Sequence, residues 1–356
     1  MTAPVYITSA AAWIPPAESA REAVADGKYA AEDFEENKML CLPVVADETS
    51  VPDMATYAAR RALDRAAHVV GGRLDVLVHA SVYHQGRDYC WTSAPYIQRE
   101  LGVTGGAFAV NVQQLSNGGM VAMDLAMSQL QAGRGTSAMV TTSDRFCLPG
   151  MDRWRGAYGI VVGDGATAMV LSTAGGFARV HAIESYTDAS LEPLHRGNHP
   201  FTTAPQPKVD DLRAPKKSYL AKVGKESVMQ RAEVALQDIV RSVLDKTGHK
   251  LDDFAKILMP NMGHGLMDAQ FLQPLGITAD RSLMDWGRYT GHLGAGDLLA
   301  GVARIVEKKH VREGDLVLLV SAGGGYSLTV AVLEIESVPE WSEATTDFAL
   351  PADVTE

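Results

Sequence analysis

The chain has 356 residues, 46% of them hydrophobic and 21% charged, with 33 glycines and 16 prolines. Such a length and composition describe a globular protein of about two domains or two fused halves, and no apolar run approaches the roughly 20 residues needed to span a bilayer. A net charge of −11 with scattered basic residues argues against a nucleic-acid partner.

The segment Met1 to Thr8 lacks the basic start and apolar core of a signal peptide. Cys41, Cys90 and Cys147 are odd in number, far apart and without CxxC spacing, which favours reduced thiols over disulfides or a zinc site. A cytoplasmic protein without a metal is expected.

Residues 4–13 read as a first strand, followed by a polar region to about Pro52. Asp53 then caps a helix-like run, Met54 to Ala67, with alanines, Tyr57 and Leu63 on its apolar side. Asp75–Val82 is a continuous apolar run of buried-strand type. Residues 93–101 look helical, and Leu101-Gly102-Val103 leads to the apolar run Ala107–Val112. After the stretch Asn111 to Gly119 comes a helix-like run, Met120 to Gln131, then a strand at Ser137–Thr142. Gly163-Asp164-Gly165-Ala166 runs into Met169–Ser172.

The second part repeats this order. A long amphipathic helix at about Glu226–Lys246 matches that at 53–67, and Lys256–Pro260 matches Asp75–Val82. Leu275-Gly276-Ile277 matches Leu101-Gly102-Val103. Ser282–Trp286 leads through Gly291–Asp297 into a helix at about Leu298–Glu307. Leu316–Val320 matches Ser137–Thr142, and Gly323-Gly324-Gly325 runs into a strand at Ser327–Ile335. Gly102 to Ser116 is 14 residues and Gly276 to His292 is 16, so Ser116 and His292 take equivalent places before a helix. Packing about a pseudo-two-fold axis would bring both helix starts together, within mixed or parallel sheets covered by helices. The expected division is 1–175, carrying the nucleophile, then 176–336, carrying a His–Asp pair, then a tail at 337–356. Two Rossmann-like domains are the alternative, but no GxGxxG follows the first strand.

Ser116 is placed at a strand-to-helix turn, where backbone N–H groups stabilise negative charge. Gly118 and Gly119 would leave room for a substrate near the backbone. A serine before a helix is ordinarily a plain N-cap, so its neighbours must decide.

From residue 4 to 335 this order resembles the thiolase fold, in its β-ketoacyl-ACP synthase III branch. The resemblance rests on Phe108-x-x-Asn111 before the turn, Gly163-Asp164-Gly165-Ala166, Gly291–Asp297 and Gly323-Gly324-Gly325. It implies duplicated α/β halves in a five-layered α-β-α-β-α arrangement. Family members carry a cysteine at the turn, where this chain has Ser116. Their Pro-His-Gln-Ala-Asn reads here Pro260-Asn261-Met262-Gly263, and their Gly-Asn-Thr-Ser-Ala reads Gly291-His292-Leu293-Gly294-Ala295. The Cys–His–Asn set thus becomes Ser116, Asn261 and His292, with Asp297 five residues on. This pattern resembles the acyltransferase and starter-unit side branch of antibiotic biosynthesis, of the cervimycin and daunorubicin type, in which a nucleophile works with a His–Asp pair.

Serine needs a positioned base, for which His292 is the candidate, with Asp297 fixing its tautomer. The Ser116 N–H and a donor from Gly323, Gly324 and Gly325 would hold the oxyanion. Asp297 at a helix start also suits an N-cap, and Asn261 either keeps an oxyanion role or closes a turn. Asn111 reads as a structural hydrogen-bonder. Loss of the usual His and Asn pair weakens the case for decarboxylative condensation. The resemblance implies acyl transfer from acyl-CoA or a phosphopantetheine-linked acyl carrier protein to a small-molecule hydroxyl, amine or a carrier thiol, with no tightly bound cofactor. Carbon–carbon bond formation by a starter-unit ketosynthase and a non-catalytic partner subunit are the alternatives, and an engineered Cys→Ser change at 116 would read the same.

Segment 83–96 corresponds to the part that reaches the partner subunit in family homodimers, and Trp91 or Tyr96 would line an acyl pocket or pack in a core. His195 and His199, in the polar segment 185–222, are candidates for touching the acceptor. Lys216, Lys217, Lys222 and Lys225 suit CoA phosphates, an acidic carrier, or a solvated face.

Overall fold

A computed structural model describes residues 3–87, 90–103, 105–198, 200–201, 203 and 213–355. His199 lies outside the described residues. The strands are β1 (Val5–Trp13), β2 (Ala17–Ser19), β3 (Cys41–Pro43), β4 (Val76–Ala80), β5 (Phe108–Val112), β6 (Ser137–Asp144), β7 (Gly165–Ser172), β8 (Ala178–Thr187), β9 (Phe254–Leu258), β10 (Leu316–Gly323) and β11 (Ser327–Ile335). The helices are α1 (Ala20–Ala25), α2 (Ala31–Asn37), α3 (Val51–Val70), α4 (Ser93–Glu100), α5 (Gly118–Gln131), α6 (Pro193–Arg196), α7 (Arg213–Val223), α8 (Lys225–Thr247), α9 (His264–Met267), α10 (Gln273–Leu275), α11 (Met284–Thr290) and α12 (Asp297–Glu307).

Nine strands run in the order β5-β4-β6-β7-β1-β8-β11-β10-β9. β4 pairs in parallel with β5 and β6, and β9 with β10, while the other pairs are antiparallel. The halves meet where Val5, Tyr6 and Ile7 face Val180, Arg179 and Ala178.

Side-chain alternation along each strand builds the layers. On β4, Val76 and Val78 face Met120, Met123 and Met127 of α5, whereas Leu77 faces Ala55, Ala58 and Ala62 of α3. On β10, Val317 and Leu319 share the inner core with Leu298, Leu299 and Val302 of α12, while Leu318 and Val320 face Leu236, Ile239 and Val243 of α8. α12 is buried almost all round, from Asp297 to Val306, as a helix enclosed between two half-sheets must be. Each such leucine or valine adds about 1.5–3 kcal/mol on burial. The layers are therefore α3, the first half-sheet, α5 with α12, the second half-sheet, and α8. This is the thiolase fold.

Three features were not legible in the sequence. The long strand β8 follows Phe177, and its outer residues are polar enough to read as loop. Among the described residues no strand of the second half answers to β5, because α11 occupies that stretch. Residues 337–355 strap back across both halves. There Thr345 and Thr346 bond Glu307, itself in a buried ion pair with Arg65, whose guanidinium lies 4.0 Å over Trp341.

Candidate active site

Ser116 sits in the 3-10 turn Leu115–Asn117 between β5 and α5, and its hydroxyl is 2.7 Å from His292 Nε2. The turn is tight: Leu115 takes φ +49, and the buried Asn117 side chain donates to Ser327 and Thr329 of β11. A matching 3-10 turn, Gly294–Gly296, opens α12, with Gly294 at φ +63. By this match the counterpart of Ser116 is Ala295. His292 lies three residues upstream of the position expected from spacing. The expectation that Gly118 and Gly119 leave room for substrate is also corrected. A Cβ on Gly119 would strike the carbonyl of Ala295, and one on Gly118 would lie 3.1 Å from Ala80 Cβ. These glycines let the two turns approach each other.

His292 is held by its backbone before its side chain is considered. Its N–H donates to the Val161 carbonyl and its own carbonyl accepts from Gly163 N–H. The Gly163–Ala166 motif is thus a support. Asp164 is buried there, accepting from the Val45 and Phe146 N–H groups and pairing with Arg153.

Asp297 begins α12 and is 4% exposed. Its Oδ2 accepts from His292 Nδ1 at 2.5 Å and from Asn261 N–H at 2.8 Å, and its Oδ1 accepts from Leu293 N–H at 2.7 Å. Both oxygens turn back toward the loop, and the adjacent helix start favours their charge. With Nδ1–H donating to Asp297, the Nε2 lone pair is left facing the Ser116 hydroxyl. Burial pushes the His292 pKa down, but the Asp297 charge and hydrogen bond, helped by the charge of Asp144, outweigh it, so the net shift is upward.

Asp144, at the end of β6, escaped the sequence reading. It is fully buried and accepts from the Val82 and Tyr83 N–H groups at 2.8 and 2.7 Å and from Ala295 N–H at 3.2 Å. Gly294 has no room for a Cβ because the Asp144 carboxylate fills that space. Burial pushes its pKa up to about 7, against those three donors and the nearby His292. An acid ending the apolar run Ala138–Thr142 was the available signal.

The hairpin tip Gly323–Gly325 lies against the Ser116 turn. A Cβ on Gly323 would sit 2.6 Å from Asn117 N and 2.8 Å from the Gln114 carbonyl, while Gly325 needs its φ of +74. Asn261 contributes its backbone N–H to Asp297, but its side-chain amide donates to Thr290 Oγ1. Asn111 accepts from Ala94 N–H and donates to Ser93, a structural pairing.

The proposed pocket residues do not join this cluster within the chain. Tyr96 packs against the α3 side, bonds Asp53 through its hydroxyl, and stands beside the exposed Trp91. His195 is exposed on α6.

Known proteins share this framework. The model of the 3-oxoacyl-[acyl-carrier-protein] synthase III family matches residues 110–189, and its C-terminal model matches 244–335. The solved structure of the acyltransferase ChlB3 superposes with a TM-score of 0.89 at 32% identity, covering 95% of this chain and all of that one. The chain belongs to the synthase III family of the thiolase superfamily. The synthase III of Aquifex aeolicus is 24% identical over 289 residues, 81% of this chain and 85% of its own length. The Pseudomonas aeruginosa synthase III has the same fold, with a TM-score of 0.75 at 20% identity over 95% and 100% of the two chains. Family membership makes the chain a transferase or condensing enzyme. Among its described residues no helix is long and apolar enough to cross a membrane.

Proposed function

We propose that the chain is an acyltransferase of polyketide-type natural-product biosynthesis that works through a Ser116 ester. The observation that carries this reading is the continuous hydrogen-bond chain Ser116–His292–Asp297, with separations of 2.7 and 2.5 Å. His292 Nε2 takes the Ser116 proton as Oγ attacks the carbonyl carbon of a CoA or carrier-protein thioester. The Ser116 N–H and the glycine hairpin hold the oxyanion. The C–S bond then breaks and the thiol leaves with the proton from the imidazolium. A hydroxyl, amine or thiol acceptor attacks next, giving its proton to His292, and Ser116 recovers it as the ester breaks. No bound cofactor enters either half-reaction.

The likeness to an acyltransferase at 32% identity supports transfer over condensation. The exposed Lys217, Lys222 and Lys225 suit an acidic carrier domain or CoA phosphates. A homodimer would cover the edge strand β5, where Phe108 is 56% exposed, and the exposed Leu125 of α5.

Incubation with acetyl-, propionyl- and malonyl-CoA and the corresponding acyl carriers, followed by intact-mass analysis, tests the reading. An adduct lost in Ser116→Ala supports it, and no adduct from any donor refutes it. Carbon dioxide release with a 3-ketoacyl product would assign condensation instead.

A further inference from the structure

A cavity of about 110 Å³ opens on the outer face of the second half-sheet, on the far side of the glycine hairpin from Ser116. Leu220, Val228, Leu236, Phe271 and Leu328 give it apolar walls, and Tyr326, next to Gly325, lines its end. A π-helical turn, Asp268–Leu272, forms one side. Such turns cost regular hydrogen bonding and are frequent at functional sites. The insertion helices α6 and α7 supply the roof through Leu194, Lys216 and Leu220.

Lys216 is the anomaly. It is half-buried in this apolar lining, has no hydrogen-bond or ion-pair acceptor among the described residues, and has Lys225 as its charged neighbour. Burial and Lys225 both hold its pKa below the ordinary lysine value, and among the described residues its charged form has no counter-ion. The other charged lining residue, Glu233, is exposed and accepts from Gln237. An ammonium left in apolar surroundings costs free energy that an entering anion would offset.

We propose that this cavity is a binding site for a small apolar carboxylate, whose hydrocarbon part fills the space between α8 and the π turn and whose carboxylate pairs with Lys216. The volume suits a body of about six carbons, since a 150 Å³ apolar cavity accepts benzene. Tyr326 connects the site to the hairpin beside Ser116, so an occupant there contacts the strand end that frames the nucleophile turn. Binding itself involves no step at Ser116, so it stands or falls apart from the acyltransferase reading.

The probes are hexanoate and hexan-1-ol, titrated into the full-length protein by calorimetry and by chemical-shift perturbation of methyl-labelled leucine and valine. Hexanoate should bind more tightly than hexan-1-ol, with shifts at Leu220, Val228 and Leu236. Lys216→Met should weaken hexanoate on the order of tenfold while leaving hexan-1-ol unchanged. Ala232→Trp, which fills the cavity, should abolish both, and Ala269→Trp does the same from another wall if the first variant does not fold. Absence of binding by either probe at millimolar concentration, or equal hexanoate affinity in Lys216→Met, overturns the proposal.

Discussion

Replacing Asp297 by Asn keeps the shape of the side chain and removes its charge. In the native site the carboxylate accepts from three donors: His292 Nδ1, Asn261 N–H and Leu293 N–H. An amide offers one oxygen, so its NH2 must face either the imidazole or a backbone N–H. Asp297 and His292 are both about 4% exposed, so solvent does little to relieve the loss. Breaking a buried charged pair costs about 3–5 kcal/mol. Because that cost falls on the imidazolium formed during attack, acylation of Ser116 should slow by about two to nearly four orders of magnitude. The assay is the rate of Ser116 adduct formation by intact-mass analysis across pH. In the native chain the raised His292 pKa places the acid limb above the ordinary value of 6.5, and Asp297→Asn should move that limb down. The same linkage acts on folding. A raised folded pKa contributes stability that is complete below about 6.5 and is lost as pH rises through the folded value, and the variant should lose this slope. An acylation rate within about threefold of native, with an unmoved acid limb, would refute the division of roles between His292 and Asp297.

Ser116→Cys should retain adduct formation and extend it to lower pH, because a thiol needs less help from a base, whereas Ser116→Ala should form none; mass analysis decides both. Asp144→Asn removes the second carboxylate charge beside His292, so the acid limb should shift downward while KM stays near native; an unmoved limb assigns Asp144 to loop support alone. Gly323→Ala forces a Cβ to within 2.6 Å of Asn117 N, and should cost about 1–3 kcal/mol in a denaturant titration and slow acylation.

How much of this was legible from residues varies with the kind of signal. Continuous apolar runs such as Asp75–Val82 and Ser137–Thr142 gave strands β4 and β6 within a few residues, since buried strands declare themselves by composition alone. β8 was missed because its outward residues, among them Arg179, His181 and Glu184, mask the buried ones. At the site, Ser116, His292 and Asp297 were marked by sequence and do meet in space. Asp144 was not marked: an acid at the end of an apolar run is a weak signal, and it does not reveal three donors from segments more than 60 residues away. For Tyr96 and Trp91 the sequence leaves an acyl pocket and core packing both open, and within the chain Tyr96 packs on α3 with Trp91 beside it.

The exchange of residues between two loops has a physical logic. Asn261 stands where the family resemblance places a histidine, and its side chain is committed to Thr290 while its N–H braces Asp297. A base at 261 would have no carboxylate five residues on at a helix start. A base at 292 has one, because the 3-10 turn Gly294–Gly296 brings the first residue of α12 back under the imidazole. The cost of burying that carboxylate is offset by three donors and the helix start. Glycines 118 and 119 then let the two turns close until Nε2 reaches Oγ at 2.7 Å. Serine at 116 and histidine at 292 are therefore coupled choices. Reverting His292 to Asn while keeping Ser116 leaves the hydroxyl without a base, and it should abolish acylation as completely as Ser116→Ala. Adduct formation at a native rate in that variant would place the base elsewhere.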